Sequence, residues 1–246
     1  MTWPTIPTAA PPEMDMQIHS TFSDGVNTVA ENVAEAEAMG LRTITCVDHV
    51  RHDSEYLPAF VAAVRAAQET TDVVLLCAAE AKYLDDAGHL DLPDDLAGVD
   101  RIYGGDHQVP WTDGPRHPDE VAADLRAGVV TEREVLEHLT TATANAVLRY
   151  EHVVIAHFFS LLPRLGIVED DVPMELIERV AEAAAQGGAI VEVNERYRSP
   201  NARTLRPFLD RGVELLTSTD AHARERIARY DHVAAVVREL AAGEGR

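Results

Sequence analysis

Histidines and acidic residues recur in this chain at one kind of position, at the end of short apolar segments typical of β-strands or in the turn that follows. These residues are His19, Asp24, Asp48, His49, Glu80, Asp106, His107, His157, Asn194, Asp220 and His222. Any single one could be a structural residue, as when Asp24 caps a helix or Asp106 braces a turn. Five of the histidines gathered with Asp24, Glu80 and Asp220 would be strongly disfavoured by desolvation and repulsion unless cations were present.

A mixed set of imidazole and carboxylate donors indicates a site for divalent metal ions. Such donors suit Zn, Mn or Fe, and an excess over four ligands predicts more than one ion. Neighbouring ions favour phosphoryl chemistry, because they generate hydroxide near neutral pH and stabilise both the attacking and the leaving oxygen. The sequence has no glycine-rich phosphate loop, no G-x-S-x-G motif and no cysteine at a plausible nucleophile position, so covalent catalysis is not indicated.

The segments that must position these residues alternate between strand and helix. Strands are predicted at 15–19, 41–49, 72–81, 99–107, 152–157, 188–194 and 213–222, and helices at 26–40, 55–70, 118–148, 173–186, 201–211 and 225–242. Apolar strands separated by helices predict a parallel sheet with helices outside it. About seven such units favour an α/β barrel in a single domain over an open doubly wound sheet, with the active site at the C-terminal ends of the strands.

The first strand and the first helix carry periodic patterns. Asp15, Gln17 and His19 alternate with Met14, Met16 and Ile18, and the helical positions Val26, Val29, Val33 and Ala36 recur on one face. Because a strand points successive side chains to opposite faces, the three polar residues are expected to form the floor of the site together. The four helical residues are expected to pack against the sheet.

Composition restricts the partners. The net charge of -21 argues against a long nucleic acid, which requires clustered basic residues, although a small anionic substrate at a metal site remains compatible with it. No apolar run reaches the ~20 residues of a membrane span, and the first residues lack the features of a signal peptide. Cys46 and Cys77 are predicted to be buried thiols, and the protein is predicted to be cytoplasmic. The oligomeric state is not predicted.

Six motifs, in order, resemble the PHP family, named for polymerase and histidinol phosphatase. They are DMQIHSTFSDG (15–25), TCVDH (45–49), AAEAK (78–82), YGGDH (103–107), VVIAH (153–157) and TSTDAH (217–222). The resemblance implies a distorted (β/α)7 TIM-like barrel over residues 14–246, and the prolines within residues 1–13 predict an extended arm before it. It also implies two or three divalent ions and hydrolysis of a phosphate ester by a metal-bridging hydroxide.

The resemblance also implies roles for individual residues. Glu80 would bridge two ions, with His107 and His157 on one of them. Asp24, His49 and His222 would bind another ion, and His19 and Asp220 would hold the remaining one. The family usually supplies a further histidine two positions before His19, where this chain has Gln17. An amide oxygen is a weaker ligand than imidazole for Zn and more tolerable for Mn or Fe, so Gln17 is expected to alter the first ion.

The remaining assignments concern substrate and catalysis. Arg196 and Arg198 are expected to anchor a phosphate because a guanidinium matches its oxygens, Lys82 and Asn194 are expected to contact substrate, and Asp220 or His222 to handle the proton. The stretch VEVNERYRSPN (191–201) is most similar to histidinol-phosphatase relatives, which favours a small phosphate monoester. Alternatives are a phosphodiesterase acting on a nucleotide or cyclic phosphate, and a metal-stabilised module without catalysis. The other histidines (52, 89, 117, 138, 152 and 232) are predicted to be surface residues.

Overall fold

Parallel strands at the centre of the protein carry the motifs. The computed structural model describes residues 13–243, and within them seven strands form one parallel sheet. These strands are β1 (Met14–Ile18), β2 (Thr43–His49), β3 (Val74–Lys82), β4 (Arg101–Gly105), β7 (Val153–Ala156), β8 (Ile190–Asn194) and β9 (Leu215–Ser218). β5 (Val109–Trp111) and β6 (Gly114–Arg116) form a separate antiparallel hairpin. The seven predicted strands are thus confirmed, each shorter than or offset by a few residues from its predicted span.

The sheet curves into a nearly closed barrel. Its order is β1-β2-β3-β4-β7-β8-β9, and the two outer strands meet through hydrogen bonds from His19 N to the Ala221 carbonyl (2.9 Å) and from Ala221 N to the Gln17 carbonyl (3.2 Å). Because every strand is parallel to its neighbour, all the strand ends open on the same mouth. The chain is therefore a single-domain α/β protein of the TIM-like barrel type.

Helices cover the outside of this barrel. They are α1 (Val29–Ala38), α2 (Leu57–Gln68), α3 (Pro118–Ala127), α4 (Glu132–Arg149), α5 (Leu162–Leu165), α6 (Met174–Gly187), α7 (Ala202–Leu209) and α8 (His232–Gly243), with short 3₁₀ turns at Glu169–Asp171 and Arg224–Arg226. Buried apolar side chains fill the barrel interior and the layers between strands and helices. None of the helices within residues 13–243 is long and apolar enough to span a bilayer.

Three sequence expectations need correction. The single helix predicted at 118–148 is two helices, because Gly128 ends the first with a φ of 69° and Thr131 begins the second with a capping box. Val26 does not pack against the sheet: it is 69% exposed, since the helix starts only after the Thr28 cap. The predicted 225–242 helix begins at His232, after the short 3₁₀ turn.

Other expectations hold or fall outside the described part. Cys46 and Cys77 are buried and free, as predicted. The arm expected at 1–13 lies outside the described residues except for Glu13, whose carboxylate pairs with Arg42 at 2.8 Å.

Candidate metal centre

The carboxylate of Glu80 lies at the centre of the barrel mouth, between four imidazole rings. Its Oε1 is 2.8 Å from His157 Nε2 and 3.0 Å from His107 Nε2. Its Oε2 is 3.3 Å from both His49 Nδ1 and His19 Nε2. Each carboxylate oxygen therefore faces a different pair of ring nitrogens, which is the arrangement required of a carboxylate that bridges two cations.

A second convergence surrounds Asp24, in the turn after β1. Asp24 Oδ1 lies 3.1 Å from His222 Nε2, 3.5 Å from His49 Nε2 and 3.8 Å from His19 Nδ1. The potential ligand atoms of these four residues all lie within 4.8 Å of one another. His49 belongs to both convergences, because its two ring nitrogens face Glu80 and Asp24 respectively.

Asp220 completes the ring of ligands from the opposite side of the barrel. Its Oδ1 is 3.3 Å from His19 Nε2 and 3.3 Å from His222 Nδ1. His157 and Asp220 both have left-handed backbone conformations, with φ of 30° and 51°. Non-glycine residues rarely adopt such values, and where they persist they are concentrated at functional sites.

Two glycines that the sequence reasoning did not single out make room for these side chains. A Cβ placed on Gly105 would lie 2.9 Å from Glu80 Oε1 and 3.0 Å from His107 Nε2. A Cβ on Gly25 would lie 2.5 Å from the carbonyl oxygen of His19. Both glycines belong to motifs of the sequence, YGGDH (103–107) and TFSDG (21–25), but only packing reveals which contacts each one avoids.

The site perturbs its ionisable groups strongly. Burial lowers the pKa of His19, but hydrogen bonds and the charges of Asp220 and Glu80 outweigh burial and raise it to about 10. Burial likewise opposes ionisation of Glu80, yet the surrounding imidazoles hold the pKa of that carboxyl well below its usual range. The same balance raises the pKa of His157 and lowers that of Asp24. The carboxylates are therefore held ionised, and cations that bind them must compete with protons on the imidazoles.

The donor set fits divalent transition metals. Imidazoles and carboxylates are the ligands these ions prefer, and the ligand number exceeds four. Three buried polar atoms of this cluster have no hydrogen-bond partner among residues 13–243: His19 Nδ1, Asp220 Oδ1 and Gln17 Oε1. Buried polar groups are normally paired, so orphaned donor and acceptor atoms in one cluster are consistent with cation ligands.

Gln17 lies inside this cluster and is fully buried. Its Nε2 donates to Glu80 Oε2 at 2.9 Å and lies 3.1 Å from His19 Nε2, while its Oε1 is one of the orphaned atoms. In this orientation the amide occupies one face of a Glu80 oxygen as a donor. A half-turn of the amide would exchange its oxygen and nitrogen and offer a neutral oxygen ligand instead.

Asp15 is not part of the site floor, contrary to expectation. Its carboxylate accepts hydrogen bonds from Thr219 N (2.8 Å), from the Thr219 hydroxyl and from Ala228 N (3.0 Å), so it joins β1 to the loop after β9. A register shift between Asp15 and Ile18 in the β1–β2 pairing accompanies this separation from His19. Burial raises the pKa of Asp15 to about 6 despite those hydrogen bonds.

Other polar residues hold the side chains of this ligand cluster, or the turns that carry them, in place. Asp48 accepts from the Ser20 backbone N and hydroxyl and from the Ser23 hydroxyl, which fixes the turn that carries Asp24. Asp106 accepts from His157 Nδ1 at 3.0 Å and so leaves Nε2 of that ring for Glu80 or a cation. Asn194 is buried and its Nδ2 donates to Asp220 Oδ2 at 3.3 Å, so it holds Asp220 and lines neither cleft described below.

A cleft of about 590 Å³ opens above the ring. Its lining includes Asp24, His49, Arg51, Tyr56, Lys82, His107, Gln108, His117, Arg196, Tyr197 and His222. Lys82, the last residue of β3, reaches this cleft, and its Nζ lies 3.6 Å from Asp91 Oδ2. His117, expected at the surface, lines the cleft while its ring caps α3. Tyr56, Gln108 and Tyr197 were not singled out in the sequence, because each depends on loops meeting across the mouth.

The expected phosphate anchors are both at the mouth but on different sides. Arg196 donates from Nη1 to His222 Nδ1 and lines the cleft above the ring. Arg198 does not line that cleft but lines a second one that adjoins it. Tyr197 between them packs its ring 4.9 Å from that of His157.

Comparison with known proteins agrees with this geometry. The PHP domain family model matches residues 15–196, well over half of the chain. A crystal structure of histidinol phosphate phosphatase (HisK) from Lactococcus lactis subsp. lactis Il1403, complexed with zinc, L-histidinol and phosphate, is similar with a TM-score of 0.66. The sequences are 17% identical, over 94% of this chain and 93% of that one. No curated protein sequence matches the chain significantly. The chain belongs to the PHP family and is a metal-dependent phosphoesterase.

Proposed function

We propose that the protein hydrolyses small phosphate monoesters with two or three divalent ions bound in the barrel mouth. The ligands would be Gln17, His19, Asp24, His49, Glu80, His107, His157, Asp220 and His222. The observation that supports this most is Glu80, buried with each carboxylate oxygen facing a separate pair of imidazoles. Zn, Mn and Fe all suit this donor set. Because the amide of Gln17 is a weaker ligand than an imidazole, two tightly held ions are favoured over three.

Divalent ions at neighbouring positions supply Lewis acidity and lower the pKa of water enough for hydroxide to form near neutral pH. The surrounding side chains would then bind and orient the ester. If His222 offers Nε2 to an ion, its Nδ1 carries the proton and donates to the Asp220 carbonyl oxygen, 2.9 Å away. Arg196 then loses its acceptor on His222, and its guanidinium is available to a phosphate oxygen in the cleft.

Asp220 and His222 would transfer the proton that the reaction moves between the attacking water and the leaving alcohol. Asp220 Oδ1 faces the ring of imidazoles and Oδ2 is held by Asn194, so the carboxylate is fixed beside the reacting group. The leaving alcohol would face the cleft above the ring, where Lys82 and His117 provide polar contacts. General acid–base assistance of this kind contributes typically about 10²–10⁴-fold to the rate.

Histidinol phosphate is the first substrate to test, because the similar solved structure is a histidinol phosphate phosphatase. The net charge of -21 makes a long polynucleotide an unfavourable substrate. A small monoester requires no extended basic surface, since the ions neutralise its charge.

The proposal is tested by metal analysis and turnover on the same preparations. Purified protein should contain about two metal equivalents per chain and hydrolyse monoesters faster than matched diesters after addition of Mn or Zn. Glu80→Gln should lower kcat by at least about a hundredfold and remove bound metal, since even residues behind metal ligands cost 10–100-fold. His89→Gln, which changes an exposed histidine that contacts Asp85, is the matched control and should retain both the bound metal and the activity.

Less than one equivalent with no turnover would overturn the proposal. Faster cleavage of diesters than of monoesters would show that the protein is a phosphodiesterase and not a phosphomonoesterase. Metal binding that stabilises the fold without any turnover on either class of ester would indicate a module that has lost catalysis.

A further inference from the structure

A second cleft adjoins the metal centre and has a different chemical character. It has a volume of about 620 Å³ and shares Arg196 and His222 with the cleft above the ring. Its other walls are the loop after β8 and the segment that joins β9 to α8. Four arginines line it: Arg196, Arg198, Arg226 and Arg229.

These arginines lack the carboxylate partners that several other arginines of this acidic chain have. Arg65, Arg133 and Arg164 each pair with an acidic side chain at 2.6–2.9 Å. By contrast, within residues 13–243 no carboxylate lies within ion-pair distance of the four cleft arginines.

Three acidic residues also line the cleft, one fewer than the arginines, and none of the three pairs with an arginine of the cleft. The two carboxylate oxygens of Glu195 accept hydrogen bonds from His232 N (3.0 Å) and Val233 N (2.9 Å), at the start of α8. Asp220 faces the imidazoles of the metal centre, and Asp231 is exposed. In a chain with 42 acidic and 21 basic residues, a cleft lined by four arginines and only three acidic residues is a local region of opposite sign. Such a region attracts anions and holds them at a fixed position.

We propose that this cleft binds a second oxyanion of the substrate, a phosphate or a carboxylate, while the scissile phosphate lies at the metal centre. The substrate class is then a small phosphomonoester with an additional anionic group, an inference that rests on the proposed phosphatase function. Guanidinium groups suit both oxyanions, because their N–H donors match two oxygens at once. Since Arg196 and His222 line both clefts, one small molecule can occupy both.

The test uses metal-loaded enzyme and a matched series of alkyl phosphates whose far end is a hydroxyl, a carboxylate or a phosphate, at several chain lengths. At the best length, kcat/KM for the two anionic substrates should exceed that for the hydroxyl substrate by tenfold or more at low salt. The ratio should fall as salt is added. In the variants Arg226→Gln and Arg229→Gln, this ratio of kcat/KM values should fall by about tenfold, because each loses one charge-assisted hydrogen bond to the second anion.

Arg224→Gln is the control, because Arg224 lies on the same 3₁₀ turn but does not line the cleft. Its ratio should match that of the unmodified protein. An equal kcat/KM for all three ends at every chain length, or a ratio that survives in both cleft variants, would overturn the inference. Carboxylate and phosphate ends tested side by side identify which oxyanion the cleft prefers.

Binding distinguishes this inference from the proposed function. Calorimetry with non-hydrolysable alkyl bisphosphonates and monophosphonates requires no turnover. Tighter bisphosphonate binding that depends on Arg226 and Arg229 would support the second anion site even if no ester were hydrolysed, in which case only the phosphatase proposal fails. Hydrolysis of monoesters with equal binding of both phosphonates would refute the second site and leave the phosphatase intact.

Discussion

The substitution Gly105→Ala tests directly whether the packing around Glu80 controls metal binding. Ordinary van der Waals contact begins near 3.4 Å, whereas the new Cβ would lie 2.9 Å from Glu80 Oε1, 2.9 Å from His157 Cε1 and 3.0 Å from His107 Nε2. All three neighbours would have to move by about half an ångström, and all three belong to the proposed ligand set. A shift of this kind at several ligands is expected to lower kcat by about a hundredfold.

Gly104→Ala is the matched control on the adjacent residue of the same strand. Successive strand residues face opposite sides, and a Cβ there would lie 2.8 Å from Tyr83 Oη and 3.1 Å from its ring, away from the ligands. Both variants should lose about 1–3 kcal/mol of unfolding free energy from overpacking. Only Gly105→Ala should also lose metal.

The assay combines metal content by mass spectrometry, kcat on the best monoester and thermal unfolding of the metal-free proteins. The expected pattern is a similar fall in Tm for both variants, with loss of metal and rate confined to Gly105→Ala. Full metal content and rate in Gly105→Ala would refute the reasoning, as would an equal loss of metal in Gly104→Ala.

Three further predictions concern the same region. Gln17→His should add about one metal equivalent per chain, because it replaces the amide donor to Glu80 with an imidazole ligand; an unchanged count would show that the amide does not limit binding. Chelation should lower the unfolding free energy by about 2.7 kcal/mol when measured against protein with free metal at a hundred times its Kd, and an unchanged Tm would contradict this. Asp15 has a pKa raised from 3.8 to about 6 in the folded protein, so its contribution to stability is present below pH 4 and is lost as pH rises through 6. The unfolding free energy of the unmodified protein minus that of Asp15→Asn should therefore fall by about 2 kcal/mol between pH 4 and 7, and a constant or rising difference would refute it.

The sequence by itself determined the type of fold and grouped the residues that are proposed as metal ligands. About seven apolar strands alternating with helices favour a parallel barrel, and a parallel barrel brings all its strand ends to one mouth. Hence His19, Glu80 and His157 could be grouped from their positions at strand ends alone. That Gln17 stands where the family pattern has a histidine was likewise predicted from the sequence alone.

Only the tertiary structure decided which residues share a site and which merely support it. Asp15 and His19 lie on the same short strand, but a register shift and the loop after β9 give Asp15 different partners. The space left by Gly105 and the cleft formed by Arg198, Arg226 and Arg229 depend on segments far apart in the chain. Strand periodicity describes each element alone, whereas these features arise from distances between elements, which no local pattern encodes.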